Sequence, residues 1–320
     1  MREIKRIGVL TRDCAGINAA LRAVVRTADS YSIEVMGVSR QYEGLIEGEF
    51  LPLTRKSVSG IINQGGTILR TSRSNRFLTE HGQKQAVDNI RQHQLDGLVI
   101  IGGNGSLAGA YILEEKFGVP AIGVPATIDN DVNGVEMSIG ADTAVNVALD
   151  AIDKIRDTAF SLERIFVVEV MGRNCGYIAS QVALAGGCED LLIPERKSDL
   201  DEICRRIQEG NKRGKMSWII IVAEGKAKAG EVAEDIHRKT GLETREAVLG
   251  HIQRGGRPTA LDRIIAARMG SHAVELLAQG RSGICVSFNC GILNSIPLAS
   301  AIQPKHFDFD SEYALIKMLT

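Results

Sequence analysis

The sequence is poor in aromatic rings: phenylalanine, tyrosine and tryptophan together make up 4% of it, with a single tryptophan. Platforms that stack the bases of single-stranded nucleic acid are built from such rings, so that mode of recognition is excluded as a main role. An excess of charge of either sign is also missing, since 38 basic residues face 39 acidic ones and the formal net charge is -1. No global field therefore draws the chain to nucleic acid or to an anionic membrane. Nowhere does an uncharged apolar run reach the roughly 18 to 20 residues that a bilayer-spanning helix needs. The N-terminal stretch MREIKRIGVL meets charge too soon to read as a signal peptide. Six cysteines, at 14, 175, 188, 204, 285 and 290, form no CxxC pair and no zinc-like spacing with histidine. They are expected as reduced thiols in a soluble, cytoplasmic protein. Low-complexity tracts and internal repeats are absent as well.

What is present is a globular composition, 44% hydrophobic and 24% charged over 320 residues. That length exceeds the range in which one core keeps growing, so two domains are expected, although no linker is marked by composition. Short apolar runs recur at 7–10, 33–38, 95–103, 119–126, 164–172 and 217–225. They lack polar alternation, which predicts strands covered on both faces, as in parallel sheets. Between them, apolar residues at three- and four-residue spacing predict helices over 17–30, 83–94, 138–157, 199–213 and 229–240. The pattern predicts a doubly wound α/β architecture, in which ligands gather at the carboxyl ends of the strands.

Four segments follow such strand ends. Gly102-Gly103-Asn104-Gly105-Ser106 closes the run LVII and opens a helix-compatible LAGAYILEEK. Its glycines allow close backbone approach, and the free N–H groups at a helix start favour phosphate; many α/β chains carry such a turn without a ligand. Thr127, Asp129 and Asp131 in PATIDND set two carboxylates at i and i+2 beside a hydroxyl. That arrangement suits a general base with a partner, or equally an Asx-rich turn capping a helix. Met171, Gly172 and Arg173 follow a third run, with Arg164 one strand length earlier, and Glu224 ends a fourth. Arg245, His251 and Arg254 lie in ETREAVLGHIQRGG. Arginine forks match phosphate oxygens, and several at strand ends fit a sugar phosphate whose hydroxyl Glu224 could accept from. A dinucleotide-dependent oxidoreductase ranks low, because no GxGxxG turn with an acidic residue about 20 positions on is present.

GGNGS, PATIDND, RIFVVEVMGRNCG, the glutamate after IIIVA and ETREAVLGHIQRGGRP, in this order, resemble the signature segments of the 6-phosphofructokinase family, most closely its short bacterial form. The resemblance covers nearly the whole chain. It implies two Rossmann-like lobes, a nucleotide lobe of 1–140 plus 253–303 and a fructose-phosphate lobe of 141–252 plus 304–320. It implies transfer of a phosphoryl group from ATP, with Mg2+, to the 1-hydroxyl of fructose 6-phosphate, a reaction of glycolysis, in a homotetramer. Asp129 would be the base, with Thr127 and Asp131 beside it, and Arg173 would stabilise the transferring charge. Met171, Gly172, Glu224, His251 and Arg254 would hold the sugar phosphate, and Arg164 and Arg245 would reach in from a neighbouring subunit. Tyr42, Arg73, Ser74, Gly103, Asn104, Gly105 and Ser106 match nucleotide-contacting positions, with Asn104 also the metal-ligand position. Gly105 favours ATP, since the pyrophosphate-using branch carries an aspartate there. Arg22, Arg26, Arg55, Arg156, Gly187, Glu189, Arg213 and Lys215 match an allosteric site for ADP or phosphoenolpyruvate; taken alone, Arg22 and Arg26 are an i, i+4 basic pair on a solvated helix face.

The chain departs from that family on the donor side. The first strand runs into Arg12-Asp13-Cys14-Ala15-Gly16, two residues shorter than usual and without a glycine pair. Asn104 stands where an aspartate is usual and brings no negative charge to a cation. Arg70 occupies a position where glycine is usual. Two readings follow: Arg12 and Arg70 supply positive charge to the donor phosphates of an active kinase, or donor binding is lost and the chain serves as a sugar-phosphate or nucleotide-responsive regulatory subunit.

Overall fold

The computed structural model describes residues 4–320; residues 1–3, part of the run read as lacking a signal peptide, lie outside the described residues. In chain order the elements are β1 (Arg6–Thr11), α1 (Ile17–Ser30), β2 (Glu34–Val38), α2 (Tyr42–Glu47), β3 (Phe50–Leu53), α3 (Glu80–Gln92), β4 (Gly97–Gly102), α4 (Asn104–Phe117), β5 (Ala121–Pro125), α5 (Ala141–Ser161), β6 (Ile165–Val170), α6 (Tyr177–Ala185), β7 (Asp190–Leu192), α7 (Leu200–Lys212), β8 (Trp218–Ala223), α8 (Ala229–Thr240), β9 (Thr244–Val248), α9 (Ala260–Ala278), β10 (Ile284–Asn289), β11 (Ile292–Pro297), α10 (Leu298–Ala301) and α11 (Asp310–Leu319). Each of the six apolar runs forms a strand, and the alternation is that of an α/β fold with mainly parallel sheets.

The chain forms two compact units. The first runs to Thr143 and resumes over Arg254–Lys305; the second spans Ala144–Gln253 and His306–Thr320. In the first, the strand order is β11-β10-β5-β4-β1-β2-β3, parallel through the middle and antiparallel at both edges. β4, GLVIIG, is buried along its whole length, and each of its large side chains removes enough apolar surface from water to contribute about 1.5–3 kcal/mol. The chain leaves β1 toward β2 on one side and later builds β4 and β5 on the other. The switch point of the sheet thus falls between β1 and β4, where the connecting loops diverge and leave a crevice.

α1 and α9 pack closely: a Cβ on Gly270 would stand 2.7 Å from the Ala20 carbonyl oxygen, so only glycine allows this approach. At the start of α9, fully buried Asp262 accepts hydrogen bonds from the N–H groups of Gly140 and Thr143, both at 2.8 Å. Burial pushes its carboxyl above the ordinary value while these donors pull it back.

In the second unit the order is β7-β8-β6-β9, with every pairing parallel. Its core gathers Ile165, Val167, Ile207, Trp218, Ile220 and Ile236 from β6, α7, β8 and α8. No disulfide joins any cysteine among the described residues, and all six but Cys290 are buried. Among the described residues no helix is long and apolar enough to cross a membrane.

Candidate active site

In the first unit the chemistry-bearing loops leave β1, β4 and β5, three adjacent strands. α4 starts directly after the β4 turn, and its N-cap, Gly103, offers no side chain to the first N–H groups. The turn is braced from below. Gln41 Nε2 donates to Ser106 Oγ at 2.7 Å, and the Tyr42 hydroxyl donates to the Ser106 carbonyl at 2.6 Å. Tyr42, an expected nucleotide contact, is buried in the core with its ring stacked on Phe77 at 4.1 Å between centroids. Its hydroxyl therefore supports the turn from beneath. Ser74 Oγ likewise accepts from the Phe77 N–H at 3.1 Å. Above Gly105 the space is open, with nothing within 4 Å of where a Cβ would be.

Asn104 Nδ2 donates to the Asp131 carbonyl at 3.2 Å, whereas its Oδ1 is buried and has no hydrogen-bond partner among the described residues. An orphaned carbonyl-type oxygen at the head of a helix fits a hard cation, which takes neutral oxygen ligands together with water and phosphate.

The turn after β5 holds the two carboxylates. The Asp129 N–H donates to Thr127 Oγ1 at 3.2 Å, and that hydroxyl donates to Asp131 Oδ1 at 3.4 Å. Between them Asn130 adopts φ 51°, and its side chain binds the Ser138 N–H at 2.8 Å and the Glu136 carbonyl at 2.7 Å. Lys305 Nζ fastens the same turn by donating to the carbonyls of Asn130 and Val135.

The loop after β1 is stitched to residues 64–73. Thr11 Oγ1 meets Thr67 Oγ1 at 2.7 Å, Asn18 Nδ2 donates to the carbonyls of Gln64 and Gly65 at 3.2 Å, and Arg12 Nη1 donates to the Ser72 carbonyl at 3.0 Å. Burial, followed by the charges of Arg73 and Arg254, pushes the Arg12 guanidinium below its ordinary pKa. Arg70 lies elsewhere: it is exposed, with φ 58°, and its charge is felt by Glu49.

In the second unit Met171, Gly172, Arg173, Glu224 and His251 lie beyond the carboxyl ends of the neighbouring strands β8, β6 and β9. The Met171 N–H donates to Oε1 of fully buried Gln253 at 2.8 Å. Gly172 has φ 138°, and Gly225 N donates to its carbonyl at 3.2 Å. Arg164 and Arg245 do not join this group. They flank the amino-terminal end of β6 and share the Glu243 carboxylate, at 2.9 Å and 2.5 Å. That pair of charges holds the Glu243 carboxyl below the ordinary carboxylate range.

The expected effector residues fall into two groups. In the first unit Arg22, Arg26 and Arg55 lie close together; burial and then the other two charges lower the Arg22 pKa, and Arg26 Nε is buried without a hydrogen-bond partner among the described residues. In the second, Arg156 donates to the carbonyls of Gly186 and Gly187, Glu189 accepts from Ile219 N and pairs with Lys215 at 3.0 Å, and Arg213 is exposed. Gln41, Asn130, Gln253 and Lys305 hold the site loops without having been singled out in the sequence. Gln253 sits between His251 and Arg254 in a quoted segment, yet no periodicity marks a single buried amide.

The model of the family described as phosphofructokinase matches residues 6–277. The ATP-dependent 6-phosphofructokinase of Clostridium tetani is 50% identical over 319 residues, covering 99% of this chain and 100% of that one. That of Thermotoga petrophila is 46% identical with the same coverage. Among solved structures, phosphofructokinase from Saccharomyces cerevisiae superposes with a TM-score of 0.86 at 33% identity, over 93% of this chain and 45% of that chain. A pyrophosphate-dependent phosphofructokinase from Marinobacter aquaeolei gives 0.85 at 22% identity, over 99% and 91%, a likeness of fold. With strand-end loops of this composition and likeness over its full length, the chain belongs to the phosphofructokinase family.

Proposed function

We propose that the chain transfers the terminal phosphoryl group of ATP to the 1-hydroxyl of fructose 6-phosphate, giving fructose 1,6-bisphosphate. The observation that carries this is the Thr127–Asp131 turn, which places Asp129 at the end of β5, beside the uncapped start of α4 at the end of β4. The first unit is the donor lobe: Gly103, Asn104, Gly105 and Ser106 with Arg73 and Ser74 receive the nucleotide, and Tyr42 braces Ser106 from below. Asp129 takes the hydroxyl proton, and Thr127 and Asp131 fix its orientation. The second unit supplies the sugar-phosphate residues Met171, Gly172, Glu224 and His251, and Arg173 offsets the charge that develops during transfer. Arg254 completes the phosphate grip.

Magnesium fits the orphaned Asn104 Oδ1, with the Asp131 carboxylate close by through the same turn. When bound with ATP it would neutralise the β- and γ-phosphate oxygens.

Because Arg164 and Arg245 lie at the far end of β6, they would serve the sugar phosphate of a neighbouring copy, which is the argument for a homo-oligomer, a tetramer by resemblance. The two arginine groups, Arg22, Arg26 and Arg55 with Arg156, Gly187, Glu189, Arg213 and Lys215, would then take ADP or phosphoenolpyruvate. The regulatory-subunit reading is not favoured by relatives that are named as enzymes and match over their full length.

A coupled assay for fructose 1,6-bisphosphate with ATP and Mg2+ tests this. Asp129→Asn should lower kcat by roughly 10²–10⁴ with fructose 6-phosphate binding intact; a variant within tenfold of the parent would remove Asp129 from its role.

A further inference from the structure

Three guanidinium groups gather in the first unit where its central strands end. Arg12 leaves β1, and its stem lies against the β4–α4 turn, so that a Cβ on Gly102 would stand 2.9 Å from Arg12 Cγ. A hydrogen bond from its guanidinium to the Ser72 carbonyl holds it next to Arg73. The Arg254–Gly256 segment reaches the same place: Gly256 N lies 3.2 Å from where a Gly65 Cβ would be, and a Gly66 Cβ would meet Asp13 Oδ1 at 3.4 Å. The charges of Arg73 and Arg254 both act on Arg12.

Three like charges held together repel, and proteins usually interleave them with carboxylates. Among the described residues none of the three forms an ion pair, and the carboxylate acting on Arg12 is that of Asp13, an exposed residue. Arg12 spends one of its five N–H donors on Ser72. The uncapped N-terminus of α4 adds its own positive end beside them. Guanidinium groups gathered in this way suit an anion carrying several negative charges along a chain, which is the form of a nucleoside triphosphate. Arg70, exposed and facing Glu49, is not part of it.

We infer that Arg12 is a donor-binding residue: with Arg73, and beside the Arg254 assigned above to the sugar phosphate, it holds the phosphate chain of ATP by fixed cations, so that the nucleotide binds even without its metal ion. The neutral amide of Asn104 agrees with this, because a site that neutralises phosphate with arginine needs less charge from a metal ligand. The inference rests on the phosphoryl-transfer reading and names the residue that adapts its donor side.

Calorimetric titration of the whole protein with the β,γ-imido analogue of ATP tests it, in EDTA and in Mg2+. The parent should bind the metal-free analogue within about fivefold of the Mg2+ complex. Arg12→Gln keeps most of the stem over Gly102 and should weaken metal-free binding roughly 10- to 100-fold, the loss expected when charged hydrogen bonds are removed. Arg12→Lys should fall between, and rising salt should weaken the parent more than the glutamine variant. If both variants bind the metal-free analogue as the parent does while the parent forms fructose 1,6-bisphosphate, the inference fails and the kinase reading stands. If the parent shows no turnover but the analogue titrations come out as expected, the kinase reading fails and the anion grip of Arg12 stands.

Discussion

Gly225 makes the sharpest link between backbone space and catalysis. It follows Glu224 at the end of β8, and its N–H donates to the Gly172 carbonyl at 3.2 Å. A Cβ added there would overlap the Arg173 carbonyl oxygen and stand 2.6 Å from the Arg173 carbonyl carbon. Carbon atoms in ordinary contact keep about 3.5 Å apart. Gly225→Ala must therefore push the Gly172–Arg173 backbone by about 1 Å, because neither obstacle is a flexible side-chain end. A shift of that size at Arg173, the group proposed to meet the transferring charge, should lower the rate by about 10², equivalent to about 2.7 kcal/mol in the barrier. The overpacking itself should take about 1–3 kcal/mol from stability. The measurement is kcat/KM for fructose 6-phosphate together with titration of the imido analogue of ATP, whose expected contacts lie in the other unit. Turnover within threefold of the parent would refute the reasoning, since it would mean that the loop absorbs the methyl group without moving Arg173.

Two further predictions use the same logic with opposite signs. At Gly105 a side chain meets open space, so Gly105→Asp should leave the melting temperature unchanged or slightly raised, a carboxylate in a first helical turn contributing about 0.3–1 kcal/mol. The same carboxylate faces the expected donor phosphates, and KM for ATP should rise at least about tenfold; an unchanged KM would place the nucleotide elsewhere. Glu243 carries Arg164 and Arg245, and these keep its folded-state pKa below the ordinary value. A depressed carboxylate pKa contributes stability that is present above the unfolded value of about 4.3 and is lost as the pH falls through the folded one. Glu243→Gln should accordingly lose less stability than the parent between neutral pH and about pH 3, and parallel melting curves would contradict the pairing.

The buried strands were legible because their chemistry is one-sided. GLVIIG and WIIIVA have no polar alternation to confuse, and both lie inside their sheets. Three of the strands that escaped prediction sit at sheet edges. β9 is TREAV and mostly exposed, β3 carries Pro52 against Met36 of β2, and β11 alternates Ile292, Asn294 and Ile296 on an antiparallel edge. Site legibility followed a similar divide. Residues that present charge at strand ends could be named from the sequence. Gln253 and Gln41 could not, since they act by filling one buried hydrogen-bond position, which tertiary structure alone creates. Arg12 and Arg70 looked equivalent as added charges, and the fold separates them: Arg12 is tethered to Ser72 against the β4–α4 turn, and Arg70 is exposed near Glu49.

The turn at Thr127–Asp131 shows how a local ambiguity is resolved by its surroundings. Two Asx residues after a strand suit helix capping as well as proton transfer, and spacing alone cannot separate the two. In the folded chain the next helix, α5, begins only at Ala141, too far along for either aspartate to cap it. The Asx-turn role falls instead on Asn130: its amide spans Ser138 and Glu136, and its φ of 51° is one that asparagine tolerates better than most residues. Thr127 then ties the flanking segments together, accepting from the Asp129 N–H and donating to the Asp131 carboxylate. With an asparagine carrying the backbone strain, two carboxylates are presented on either side of a fixed pivot at the end of β5. Helix capping therefore does not account for the two aspartates, and the base role proposed for Asp129 calls on a side chain that neither caps α5 nor carries the backbone strain.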